Sequence, residues 1–330
     1  MGKGETDART GACPARIGLV RLASEWGCLM QKQKNEIEYI DRKTGRVCRE
    51  RIMGDAALKW AYRTMTGKMF SGLLFGTSIP SRILGWYFNT SFSRRNIAKI
   101  ISDLDIDENE FAVPTYAFRS FNDFFTRKLK KEVRPFSSDK KTLLSPADGR
   151  ILVYDDIDGN SIIRVKGIED SLHNLFNRGM EEFNGGKIAV VRLSPADYHR
   201  YHFPCEGTVV EQVNIKGKYH SVNPFALESK KRIFCINKRS YTLIESEVFG
   251  LFAFMEIGAF GVAGIHQTFS ETRVERMQEK GFFSFGGSTI LLVFGKNAIH
   301  FEPDLVANSR NGFETLVKAG ETIARAAGET

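Results

Sequence analysis

His199 and His202 lie three residues apart in the run Tyr198-His-Arg-Tyr-His-Phe-Pro204 and are two of six histidines in the chain. Asp148 sits in Ser145-Pro-Ala-Asp-Gly149, and Ser288 follows two glycines in Phe285-Gly-Gly-Ser-Thr289. Carboxylate, imidazole and hydroxyl together make a relay: the carboxylate orients the imidazole, and the imidazole takes the hydroxyl proton. Each residue also has an ordinary reading, Asp148 as a turn former, either histidine as a partly buried polar group and Ser288 as a strand cap. The pair Gly286-Gly287 changes what the hydroxyl would attack. Glycine has no Cβ and tolerates strained dihedrals, so the Gly287 carbonyl is open and free to bend toward the Ser288 oxygen. The scissile bond would then be the protein's own. A fourth polar cluster, Gly217-Lys-Tyr-His-Ser-Val-Asn-Pro224, offers His220 as a ligand contact or as a simple strand-end residue.

Strand ends must position these clusters. From Leu143 onward the pattern is mostly β, with short β-rich runs at 150–154, 161–166, 187–193, 208–215, 232–236, 241–248, 251–257 and 289–294, separated by glycine or polar turns. Ahead of them, residues 36–50 read as strand, turn, strand around Lys43-Thr-Gly45, residues 55–62 have helical spacing, and 97–111 reads as another short helix. Residues 118–131 form an aromatic and then basic block, whose Arg127, Lys128, Lys130 and Lys131 suit either an anionic surface or a solvated turn.

Between these, residues 69–93 carry Arg82 as their one charge. A membrane span needs about 20 continuous apolar residues, and glycines, Pro80 and polar residues break this stretch. What remains is Phe70, Leu73, Leu74, Phe75, Ile79, Ile83, Leu84, Trp86, Tyr87 and Phe88, between basic flanks at Lys59, Arg63 and Lys68 and at Arg94, Arg95 and Lys99. That pattern suits a helix lying in a headgroup layer, where burial and attraction to anionic lipid add together. It equally suits a pair of buried helices.

The chain of 330 residues, 42% hydrophobic and 26% charged, is long enough for about two domains with a buried core. That excludes a disordered tail or a disulfide-stapled miniprotein. A formal net charge of +8 suits an anionic partner. The five cysteines are scattered without C-x-x-C spacing, so neither a disulfide framework nor a zinc knuckle is expected, and no metal site is. Residues 1–29 contain no apolar run long enough for a secretory signal and read as an upstream extension, with Met30 as an alternative start. The expected organisation is α+β: a helical, membrane-associating N-terminal region at 30–118, then a β-rich catalytic domain at 119–330.

The four clusters, in this order, together with Ser120-Phe-Asn-Asp-Phe-Phe-Thr-Arg-Lys-Leu129 and the glycine-rich Ile257-Gly-Ala-Phe-Gly-Val-Ala-Gly-Ile265, closely resemble phosphatidylserine decarboxylase proenzymes. The likeness runs from about Glu36 to the C-terminus and is strongest to the branch that cuts at Gly-Gly-Ser-Thr, here Gly286-Gly287-Ser288-Thr289. The resemblance implies a self-processing enzyme whose covalent pyruvoyl group is made from Ser288. Asp148, His202 and Ser288 would serve maturation, with His202 the base and Asp148 its orienting partner. His199 would be the acid of decarboxylation. Cleavage between Gly287 and Ser288 would leave a β chain of 1–287 and an α chain of 288–330, a heterodimer from one precursor, with further dimerisation expected. The ketone would form a Schiff base with phosphatidylserine and release carbon dioxide and phosphatidylethanolamine, in phospholipid biosynthesis. Apart from what the resemblance assigns, His220 and His266 are further candidates for substrate contact.

A diacyl lipid substrate favours the interfacial reading of 70–88 and a peripheral place on the cytoplasmic face of the cell membrane, with no nucleic-acid partner. Three rivals remain: a Ser-His-Asp hydrolase without self-cleavage, a pyruvoyl decarboxylase of a soluble amino acid, and a non-catalytic lipid-binding protein. Cys205, beside His202, reads as a packed residue rather than a reactive thiol.

Overall fold

The structure, a computed structural model, describes residues 37–51, 79–155, 157, 162–165, 168–218, 232–258, 264–286 and 288–328. The extension at 1–29, the helical spacing at 55–62, the apolar residues 70–78, His220 and Gly287 lie outside them. In chain order the elements begin with β1 (Glu38–Asp41), β2 (Val47–Arg49), α1 (Ile79–Asn89), α2 (Ile97–Leu104), α3 (Phe121–Phe125), β3 (Thr142–Leu144) and β4 (Gly149–Tyr154). They continue with β5 (Ile162–Val165), β6 (Ile168–Ser171), α4 (Leu172–Phe176), β7 (Lys187–Leu193), β8 (Arg200–His202), β9 (Gly207–Ile215), α5 (Ile233–Ile236), β10 (Arg239–Ser246) and β11 (Gly250–Gly258). The last are β12 (Ile265–Gln267), β13 (Arg273–Val274), β14 (Glu279–Phe283), β15 (Ser288–Phe294), β16 (Ile299–Phe301), α6 (Pro303–Arg310), β17 (Glu314–Val317) and β18 (Thr322–Ala326). The chain is mostly β with a few helices.

One ten-stranded sheet, in the order β13-β9-β10-β11-β15-β7-β4-β17-β1-β2, forms the frame. Its centre is β15, and every residue of that strand is buried. Successive side chains of a strand point to opposite faces. Accordingly Ile290, Leu292 and Phe294 pack with Ile151, Val191, Phe252 and Phe254 on one side, while Leu291 and Val293 pack with Ile188, Val190, Tyr241 and Met255 on the other. A strand covered on both faces reads as an unbroken apolar run, which is why Ile290 to Phe294 was visible in sequence. Burial there stabilises by roughly 1.5–3 kcal/mol per large apolar side chain.

The expected strand, turn and strand at 36–50 is the β1–β2 hairpin, turned at Gly45, whose φ of 66° is the left-handed conformation that glycine adopts without strain. β1 then pairs parallel with β17, so this N-terminal hairpin belongs to the main sheet. The expected helix at 97–111 is shorter: α2 stops at Leu104 because Asp105 turns left-handed, with φ 57°, and a separate 3₁₀ turn follows at Glu108–Glu110. The run 232–236 is a correction, since Ile233–Ile236 is helical rather than a strand. An apolar run of four to five residues carries no period long enough to separate the two.

α1, α2 and α3 sit on a third cluster built from Ile97, Ile101, Phe111, Phe118, Phe121, Phe124 and Phe125, against which Leu84 and Phe88 pack. The Ser120 hydroxyl caps α3 by accepting from the Asp123 N–H at 3.1 Å. The strand side contributes Phe285 to this cluster, three residues ahead of Ser288. No helix among the described residues is long and apolar enough to cross a membrane.

The double-sided burial of β15 predicts that Leu292→Ala costs about 2–5 kcal/mol in urea unfolding. Val210→Thr, on the half-exposed strand β9, should stay within about 0.5 kcal/mol. Equal effects of the two would contradict the assignment of β15 as the buried centre.

Candidate active site

Antiparallel pairing brings five strand ends to one end of the sheet. Ser288, the first residue of β15, lies opposite Leu193 at the end of β7 and Gly258 at the end of β11. Gly149, the first residue of β4, lies opposite Val317 at the end of β17. Asp148, the loop 194–199 and Lys318 therefore converge on the end of the sheet where Ser288 starts, although they are far apart in sequence. Gly149 is required there, since a Cβ would stand 2.8 Å from the Arg192 carbonyl oxygen.

Ser288 is fully buried, and its Oγ has no hydrogen-bond partner among the described residues. A buried hydroxyl left unpaired costs about 1–3 kcal/mol, so an orphan of this kind needs a reason. Just upstream, Gly286 has φ 140°, a conformation open to glycine and closed to ordinary side chains.

Asp148 is held from every side. Arg134 donates from Nε to Oδ1 at 2.9 Å and from Nη2 to Oδ2 at 2.6 Å. Lys318 Nζ reaches Oδ2 at 3.2 Å, and the Ala319 N–H donates to Oδ1 at 2.9 Å. Burial pushes the carboxyl pKa up, but Lys318 and Arg134 outweigh it and hold the group at about 2. Arg134 is bound in turn by Glu110 at 2.8 Å.

His199 is fully buried on the loop between β7 and β8. Its Nδ1 meets the Asp197 carbonyl oxygen at 2.9 Å. A carbonyl only accepts, so Nδ1 carries the hydrogen and Nε2 keeps its lone pair, buried and unpartnered. Burial, helped by the nearby Arg127 cation, pushes the imidazole pKa down to about 3, so the ring is neutral at pH 7. Asp197 is itself fixed: its carboxylate accepts from the Ser194 N–H at 2.6 Å and pairs with Arg150. His202 lies opposite Glu279 of β14. Burial lowers its pKa as well, against the opposing field of Glu279, and its Nδ1 is also without a partner.

The structure thus brings Asp148, His199 and Ser288 to one end of the sheet, with His202 two residues past the start of the adjoining strand β8. It does not join them into a hydrogen-bonded relay. Asp148 bonds neither histidine, and the Ser288 hydroxyl bonds none of them. Asp148 acts on both rings as a through-space charge that raises their pKa.

His266 stands apart, stacked on Phe282 at 4.6 Å with Nε2 3.3 Å from Ser284 Oγ. It lines a cleft of about 650 Å³ with Ser91, Arg119, Asn122, Thr126 and Ser284. Cys205 is buried in the core, and burial pushes its thiol up to about 12, as packing requires. The basic block needs one correction. Arg127 is buried between the rings of Phe111 and Phe124 and donates to the Ala196 and Asp197 carbonyls, so it braces the His199 loop. Lys128, Lys130 and Lys131 are exposed.

Sequence reasoning missed Arg134, Lys318, Asp197 and Arg150. Lys318 meets Asp148 across 170 positions and Arg150 meets Asp197 across 47, separations that leave no local pattern to read. The basic character of Arg127 was visible; its burial was not.

The folded pKa of His199 is depressed, so the sign follows directly. Above pH 6.5 the ring is neutral in both folded and unfolded chains. Between about pH 6.5 and 3 the unfolded chain takes up a proton that the folded chain refuses, and stability falls. The thermal midpoint of Ser288→Ala should drop across that window, and adding His199→Asn should flatten the drop. An unchanged slope would contradict the neutral, buried ring.

A family model for phosphatidylserine decarboxylase matches residues 121–325. Over 290 residues the chain is 42% identical to the phosphatidylserine decarboxylase proenzyme of Clostridium botulinum (strain Langeland), an alignment covering 87% of this chain and 98% of that protein. It is 41% identical to the proenzyme of Clostridium novyi, again over 87% and 98%. The proenzyme of Ruminiclostridium cellulolyticum is 40% identical over 87% of this chain and 97% of its own. Likeness of that degree, sustained across nearly the whole of each relative, makes this chain a member of the phosphatidylserine decarboxylase family.

Proposed function

We propose that the chain cuts itself between Gly287 and Ser288 and then converts phosphatidylserine to phosphatidylethanolamine and carbon dioxide at the new chain end. The observation that carries this reading is the buried, unpartnered Ser288 hydroxyl at the head of the central strand, behind a glycine in a left-handed conformation. A hydroxyl so placed is costly as structure and useful as a nucleophile.

In maturation, His202 takes the Ser288 Oγ proton while that oxygen adds to the Gly287 carbonyl, turning the peptide into an ester. Burial keeps both histidines neutral at pH 7, which is the form a base needs. Asp148, locked as a carboxylate by Arg134 and Lys318, lowers the energy of the imidazolium that forms. Loss of the Ser288 α-proton then expels the chain ending at Gly287 and leaves dehydroalanine. Water releases ammonia from it, and a pyruvoyl group remains at residue 288.

The site fits such a group because it is made from the strand itself: Thr289 to Phe294 keep their pairing with β7 and β11 whichever form residue 288 takes. Its ketone supplies the electron sink that decarboxylation of an amino acid requires. His199 holds the acid role. It must first gain a proton, and the substrate's carboxylate and phosphate add the negative charge that raises its basicity. Asp197 and Arg127 keep the ring aimed. His266 in the cleft, and His220, are the proposed headgroup contacts.

Within 30–118 the helical part is the proposed membrane-contacting region, while β1 and β2 join the main sheet of the catalytic part at 119–330; 1–287 and 288–330 remain together as a heterodimer. On α1, Leu84 and Phe88 turn toward the aromatic cluster, while Ile83 and Trp86 are 62% and 71% exposed; in the turn just past its end Phe92 is 65% exposed. Arg94 and Arg95 follow at once, so apolar and basic groups share one surface, as a peripheral protein on the cytoplasmic face of the cell membrane needs.

The test is electrophoresis together with carbon dioxide release from phosphatidylserine vesicles. Wild type should be cut and active, Ser288→Ala uncut and inactive, and His199→Ala should lose decarboxylation more than cleavage. An active chain that stays whole would instead support a hydrolase-type site. Activity on free serine but not on vesicles would favour a soluble substrate. Trp86→Ser with Phe92→Ser should lower sedimentation with anionic vesicles by about tenfold or more while cleavage continues. Unchanged sedimentation would remove α1 from the membrane contact.

A further inference from the structure

Three residues ahead of Ser288 the chain is gripped by the helical layer instead of the sheet. The Phe285 N–H donates to Asn122 Oδ1 at 3.0 Å. Asn122 Nδ2 donates to Asn89 Oδ1 at 3.0 Å, and Asn89 Nδ2 donates to the Gly85 carbonyl at 2.9 Å. This chain of bonds has one direction. The Gly85 carbonyl only accepts, which turns the Asn89 amide so that its oxygen faces Asn122, and that in turn points the Asn122 oxygen at Phe285. The Phe285 ring is wedged as firmly, with its centroid 4.1 Å from Phe88, 5.1 Å from Phe125 and 5.3 Å from Phe121. Phe125 lies against the His199 ring at 3.8 Å. The layer is seated on its own account, since the Phe121 N–H donates to Ser93 Oγ at 2.9 Å.

We infer that Asn122 is a positioning residue for self-cleavage, clamping the backbone at Phe285 so that the Gly286-Gly287 link is anchored at both ends. The inference rests on the reading that the bond after Gly287 is the one cut. Glycine loses more backbone freedom on ordering than any other residue. A pair of glycines held only by β15 spreads the carbonyl that Ser288 must attack over many orientations, and a second anchor raises the share of attack-ready ones. Among the described residues Asn122 hydrogen-bonds neither the Ser288 hydroxyl nor a histidine. Its effect is on where the peptide stands, through an oxygen whose direction is set from α1.

The experiment follows cleavage of freshly translated chain with time, and separately measures decarboxylation per cut chain on phosphatidylserine vesicles. Asn122→Ala, which removes the acceptor, should slow cleavage by about tenfold or more. Asn122→Asp, which keeps an acceptor oxygen, should recover much of the rate, and Asn89→Ala, which frees the amide to rotate, should fall between. Decarboxylation per cut chain is read beside cleavage, so that a change in the substrate cleft is told apart from a change in the cleavage rate. Cleavage of Asn122→Ala at the wild-type rate would overturn the inference while leaving the self-cleavage reading intact. So would a loss of cleavage matched by an equal loss of thermal stability in Asn89→Ala and Asn122→Asp, which is what a purely structural role predicts. A raised KM with cleavage unchanged would assign Asn122 to the substrate cleft instead. Wild-type chain that never cuts would remove the reading beneath the inference, a result distinct from all of these.

Discussion

The register of β15 between β7 and β11 decides where chemistry is possible in this molecule. Five apolar side chains locked into two cores leave the strand no freedom to slide, because a slip by one residue would turn every one of them to the wrong face. Ser288 is the first residue to feel that constraint and Phe285 the last to escape it. Between these two residues the rigid sheet gives way to the helical layer. A bond to be broken by its own neighbour needs both flanks held, Ser288 by the sheet and Phe285 by the helical layer.

Around that border the charged groups are arranged to stay charged, and the histidines to stay neutral. Asp148 is buried yet ionised, since Arg134, Lys318 and a backbone N–H offset its loss of water. His199 is buried and unprotonated, with its hydrogen assigned by a carbonyl that can only accept. Arg127 and Arg150 brace the Asp197 turn that aims it. The same residues thus hold the sheet end together and set the charge state of its buried groups. The helical layer joins the two concerns, since one face of α1 packs on the aromatic cluster and the other carries Trp86 into solvent.

Much of this was legible in the residues. Buried strands announce themselves as apolar runs, so Ile290 to Phe294 and Lys187 to Leu193 were readable, with polar clusters at their ends. The hairpin around Gly45 was readable from its turn chemistry. The partners of Asp148 were not, because an ion pair between residues 148 and 318 is a property of the folded sheet and has no local signature. The expected relay was incomplete for the same reason: residue types propose a hydrogen bond, but competition from Arg134 decides who makes it. The helix at Ile233–Ile236 misread as a strand shows the limit of period in very short runs.

The central claim is that Ser288 becomes a chain end. Intact-mass measurement of the purified protein, before and after borohydride, tests it most directly. The account predicts two polypeptides, residues 1–287 and a partner derived from 288–330 whose first residue carries a ketone and gains two hydrogens on reduction. A single species at the full 37.2 kDa, unchanged by the reductant, would contradict it.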